Sequence, residues 1–266
     1  MSDTADGAGG TTAEGPRAPA SLRGWLARDL RALVAAAAAT AAVELGVYLL
    51  ALWAGGPGDT PVMATLAASC LWTALAAPVL AASGKDILSA LLRAGVVADA
   101  GGLTLLVLWL VSPQVTFLAA ARIYCVLVCM VLPGVAAWTL GRSASSRYAA
   151  SLVVAAAGLL ALTSPFWAGG AMKAFSAQAA PDVAAVCVCV NPFYSVAAAL
   201  PETVRFVWHQ ATALYRITRL GDFAMPPAAR WYTAALVDLA SAAALLAAGW
   251  LIGLLRGLSR PRAAAP

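Results

Sequence analysis

VAAVCVCVNPFYSVAAAL, residues 183–200, consists of two apolar runs of eight residues on either side of Asn191-Pro192. A helix that crosses a bilayer needs about 20 apolar residues, so neither run crosses alone. Pro192 has no N–H to give and pushes Asn191 out of the helical region, which argues against one straight helix through the whole stretch. The pattern predicts two half-helices that dip into the outer leaflet and return. Backbone broken at membrane depth needs protein or water around it, so true spans must flank the pair.

The rest of the chain has the composition to supply them. Of 266 residues, 62% are hydrophobic and 11% charged, and the mean hydropathy is +0.83. Soluble domains carry roughly 25% charged residues, so this is expected to be an integral membrane protein with an all-α fold. Six further stretches are long and apolar enough to span: 33–53, 61–82, 94–112, 115–140, 148–167 and 233–255. Trp53, Trp109, Trp167 and Trp231 fall at span ends, where amphipathic rings favour the headgroup level. Ala and Gly dominate the spans and allow close helix approach, and Gly249, Gly253 and Gly257 make a small-residue stripe on the last one.

Residues 1–20 are rich in Ala, Gly, Thr and Pro and are expected to be a disordered tail, with a second tail at 258–266. Residues 21–32, SLRGWLARDLRA, start at the helix-capping Ser21 and set Leu22, Trp25, Leu26 and Leu30 against Arg23, Arg28 and Arg31, with Asp29 off the pattern. They read as an amphipathic interfacial helix or as a basic flank to the first span. The membrane domain then covers 33–257, and 169–232 form an extracytoplasmic segment that contains the re-entrant pair. Within it, 201–220 have helical amphipathic spacing: Val204, Val207, Trp208, Ala211 and Tyr215 face away from Arg205, His209, Thr212, Arg216 and Arg219.

Lys and Arg set the orientation. With six spans and the N-terminus inside, eleven of the 17 basic residues are cytoplasmic, five are outside, and Arg122 is within a span. If 183–200 crossed completely there would be seven spans, with twelve basic residues inside and four outside. Charge alone leaves both arrangements open; the Pro break and the short runs favour six, with both termini in the cytoplasm.

Glu44, Asp99, Arg122 and Asp238 lie inside spans, where a charge costs on the order of 3 kcal/mol and demands a partner or water. Counting 1.5 Å per residue puts Glu44, Arg122 and Asp238 at about one level, and Asp99 near the cytoplasmic side. The expected pairing is Arg122 with Glu44 or Asp238, with Asp99 wetted from inside. The turn SGKDILSALLR, 83–93, has capping-box spacing between Ser83 and Asp86, followed by an apolar stripe of Ile87, Leu88, Leu91 and Leu92. It is either a short interfacial helix that presses into a soluble partner or the first turn of the third span.

Other classes find little support. No phosphate loop is present, since Ser83-Gly84-Lys85 lacks the upstream glycine. One histidine, His209, rules out a multi-His metal or haem site within one copy, and the five cysteines read as small buried hydrophobes. No nucleophile and base lie at a recognisable spacing, so no catalytic residue or enzymatic activity is expected. The basic excess suits topology and anionic headgroups better than nucleic acid.

An interfacial N-terminal helix, six spans, a cytoplasmic helix between spans two and three, and the VNPFYSVAAAL break at 190–200 before the last span together resemble a type-2 ATP-binding-cassette exporter permease. The resemblance covers 21–256 in layout. It implies a homo- or heterodimer in the bacterial cytoplasmic membrane, driven by a separate ATP-binding subunit, with no cofactor on this chain. It also implies that Lys85, Asp86, Ile87, Leu88, Leu91 and Leu92 form a coupling helix, and that Asn191, Pro192, Phe193 and Tyr194 form an outer gate. The alternatives are a non-transporting membrane scaffold or assembly protein, and an ion-coupled carrier that uses the intramembrane charges.

Overall fold

Polar turns cut the apolar chain into helices, and each cut has a local cause. The computed structural model describes residues 22–55, 59–171, 179–201 and 230–258. Among these every regular element is an α-helix: α1 Leu22–Trp53, α2 Thr60–Ala82, α3 Ile87–Val111, α4 Phe117–Trp138, α5 Ala144–Ala171, α6 Ala180–Val190, α7 Pro192–Ala199 and α8 Thr233–Leu258. Asp86 starts α3 by accepting from the Ser89 N–H at 2.7 Å, and Thr116 starts α4 by accepting from the Ala119 N–H at 3.1 Å. Pro61 lies in the first turn of α2, where its missing N–H costs nothing.

Six helices, α1 to α5 and α8, are long and apolar enough to cross a bilayer, and the chain is an integral membrane protein. The turns after α1 and α3 lie together at one end, where the Gln114 amide donates to the Asp59 carboxylate. The corners after α2 and α4 lie at the other end, with Lys85, Arg93, Arg142 and Arg147 around them. We call these the turn end and the basic end. α8 runs parallel to α4: Arg122 stacks over Trp231 at the turn end, and Gly249 meets Thr139 at the basic end.

That direction fixes the role of the bent pair. α5 finishes at the turn end and α8 begins there, so α6 and α7 enter and leave by the same face, with a 70° bend between them. The pair is re-entrant, as the two eight-residue runs predict.

α2 and α4 form the centre, with 56% of their apolar windows buried against 11% for α1 and α8. Their contact depends on Gly134, where a Cβ would lie 2.8 Å from Pro78 Cα, a distance that real Cβ atoms do not show. The outer faces of α1 and α8 are left for lipid or another chain. Gly249 belongs to this intramolecular packing, since an added Cβ would meet Thr139 Oγ1 at 3.0 Å, whereas Gly253 faces open space.

Two boundaries differ from the sequence reading. α1 is continuous from Leu22, so the basic segment and the first span are one helix. α3 starts at Ile87 instead of Ala94, which makes the Ile87–Leu92 stripe its opening turns and not a separate helix. Asp86 itself is the N-cap, while Ser83 closes α2 by donating to the Leu80 carbonyl at 2.7 Å, so the capping-box reading of this pair is incorrect. The expectations for 1–20, for the amphipathic helix over 202–220 and for 259–266 lie outside the described residues.

Candidate functional site: the braced corner, the re-entrant break and the buried acids

The α2–α3 corner begins from a close approach. Gly84 lets the chain fold back on α3, since a Cβ there would lie 2.5 Å from the Ala90 nitrogen. Its carbonyl then accepts twice, from the Trp138 indole N–H at 2.9 Å and from Arg147 at 3.1 Å. The Arg147 guanidinium also lies 4.2 Å above the Trp138 ring. Arg93 donates to the Ser83 carbonyl at 3.0 Å and hydroxyl at 2.8 Å, and it pairs with Asp29 on α1. The Ser89 hydroxyl donates to the second Asp29 oxygen at 3.2 Å.

One short corner is therefore tied to α1, α4 and α5 at once. Beyond it Ile87, Leu88, Leu91 and Leu92 are 50%, 52%, 43% and 40% exposed. A rigid backbone carrying an exposed apolar stripe is a surface able to receive a partner or to rest in the headgroup layer. Lys85 and Asp86 flank it on the exposed side.

At the break, Asn191 holds both half-helices. Its side-chain oxygen accepts from the Phe193 N–H at 3.0 Å and caps α7, and its amide donates to the Leu162 carbonyl of α5 at 3.1 Å. Leu162 lies nine residues from the end of α5, about 13 Å along the helix axis, which measures how deep the bend reaches. Pro192 opens α7, where a missing N–H is harmless. Ser195 ties α7 to the start of α8: its hydroxyl lies 3.2 Å from that of Thr233 and accepts from the Ala234 N–H at 3.1 Å. Tyr194 is buried against Val188, and Phe193 packs on the main core.

The intramembrane charges are arranged differently from expectation. The single ion pair among the described residues is Arg93–Asp29. Arg122 pairs with neither Glu44 nor Asp238; its guanidinium lies 5.7 Å from the Trp231 ring centroid. Equal depth brought these groups level in sequence, but Arg122 faces the start of α8 while Glu44 points among α2, α3 and α4. Glu44 is 1% exposed, flanked by Ser69 and Thr104, with Oε1 3.3 Å from a Cβ built on Gly101. Its Oε2 has no hydrogen-bond partner, nor does Oδ2 of Asp238.

Asp99 is also misplaced by the sequence reading. Because α3 starts early, Asp99 is the thirteenth of 25 residues, in mid-helix and not near an edge. It accepts from the Tyr124 hydroxyl at 2.7 Å in an outward-facing apolar groove of about 450 Å³ bordered by Gly102, Leu106 and Phe117. Asp29, Arg93, Trp138 and Arg147 were not foreseen as one network. A lone acid among arginines in 21–32, and an arginine seven residues into the stripe segment, were the available signals. No group of three or more metal-ligating side chains occurs among the described residues.

No protein-family model, curated protein or solved structure matches the chain.

Proposed function

We propose that this chain is the membrane-spanning permease subunit of an ATP-driven exporter, with a separate ATP-binding subunit supplying the energy. The observation that carries the reading is the α2–α3 corner, which offers an exposed Ile87, Leu88, Leu91 and Leu92 stripe on a backbone fastened to α1, α4 and α5. A partner that pushes this stripe moves three helices together. At the opposite end the α6–α7 break contacts α5 and α8, so a shift in the bundle reaches the gate around Asn191, Pro192, Phe193 and Tyr194. The basic end is then cytoplasmic, the partner lies there, and two permease chains form the working unit in a bacterial cytoplasmic membrane.

The test is purification of the tagged full chain from its native membranes, followed by assay of vanadate-sensitive ATPase activity in the eluate. The expected result is activity that copurifies with wild type and is lost from a Leu88→Asp/Leu91→Asp variant that retains its gel-filtration profile. Activity that is absent from wild type, or unchanged in the variant, would overturn the reading.

The unpaired acids Glu44 and Asp238 favour a second reading, an ion-coupled carrier. Transport by the chain alone in vesicles without nucleotide would select it.

A further inference from the structure

α5 and α8 stand apart, and the space between them is a cleft of about 460 Å³. α2 and α4 form its back wall through Pro78 and Pro133, and the α6–α7 break covers its turn end through Val190 and Pro192. Most of its surface is apolar. Among the described residues Asp238 is the single ionisable one lining it, with the hydroxyl of Ser241 one turn further along α8.

Among the described residues this lining carries charge of one sign only. Asp238 Oδ2 is buried without a hydrogen-bond partner, and no cation among the described residues pairs with this carboxylate. Pro78 cannot donate to the carbonyl four residues earlier, that of Ala74, which is itself a lining residue. Carboxylate and carbonyl are acceptors only. A negative group set in an apolar cleft of ligand size is complementary to an organic cation with a hydrocarbon or aromatic body, and repels an anion of the same shape. An isolated buried carboxylate is costly, and a bound cation would offset that cost.

We propose that this cleft is a binding site for lipophilic organic monocations, with Asp238 as counter-ion and the α6–α7 break as its lid. The proposal rests on the export reading only in making the ligand the substrate. Binding is read without nucleotide, so its failure and the failure of ATP coupling are separate results.

The test is equilibrium binding of radiolabelled tetraphenylphosphonium to the purified full chain in lipid nanodiscs, with tetraphenylborate, its anionic isostere, measured separately. Wild type is expected to bind the cation saturably and not the anion. Asp238→Asn should weaken binding about tenfold or more, and Asp238→Glu should stay within about threefold of wild type. Ala157→Trp, which fills the cleft without touching charge, should abolish binding. Should Asp238→Asn not fold, the Glu and Trp variants carry the test alone. Absence of saturable binding to wild type, equal binding of the anion, or a folded Asp238→Asn or Ala157→Trp variant that binds as wild type would overturn the proposal.

Discussion

The indole N–H of Trp138, at the end of α4, donates to the carbonyl of Gly84 in the α2–α3 corner at 2.9 Å. This bond joins one of the two central helices to the segment that carries the exposed stripe. Trp138→Phe keeps the ring under Arg147 and removes the donor. It should cost about 1 kcal/mol, seen as a lower melting temperature in detergent, because Arg147 still satisfies the carbonyl. Trp138→Phe/Arg147→Met should cost more than the two single variants added together, since only the double variant leaves the Gly84 carbonyl without a side-chain donor.

Arg93 and Asp29 make a partly shielded pair, 16% and 10% exposed. Arg93→Ala leaves the Asp29 carboxylate with Ser89 alone and should destabilise by about 2 kcal/mol, between the values for open and sealed pairs. Asp29→Asn/Arg93→Gln, with neither charge present, should recover part of that loss in the same melting assay.

Gly134 tests the central packing. A methyl group there would press on Pro78 backbone, which cannot swing aside, so Gly134→Ala should cost about 1–3 kcal/mol and lower the yield of monodisperse protein. Gly253→Ala, on the open side of α8, should leave the melting temperature unchanged.

Asn191 carries the bend. Asn191→Ala loses the α7 cap and the bond to Leu162, together about 2 kcal/mol, and should speed hydrogen exchange in α6 and α7 more than in α2 or α4. Uniform exchange across all helices would show that the break is not a local unit.

The spans and the break were legible because length and polarity are properties of a segment by itself: 61–82 and 233–255 reappear in α2 and α8 within a few residues, and 33–53 lies wholly within α1 and shares its end. Residues 183–200 were legible for the same reason, with Pro192 marking the bend. Partners were not. Arg122 and Glu44 share a depth, but depth says nothing of which way a helix face turns, and Arg122 went to Trp231. Asp29 looked like a flaw in an amphipathic stripe because its partner, Arg93, lies on another helix. The start of α3 stayed open between a separate interfacial helix and the first turn of the third span, because a capping Asp86 marks where a helix begins and not how far it runs.

The re-entrant path of α6 and α7 is measured most directly by fusing one self-labelling tag before Met1 in one version of the protein and after Pro266 in another, then adding a membrane-impermeant dye to intact cells. A pair that returns to its own face puts both tags on the same side, and both should react only after the membrane is permeabilised. A tag after Pro266 that reacts in intact cells, while the tag before Met1 stays protected, would mean that the broken helix crosses the bilayer and would contradict the account.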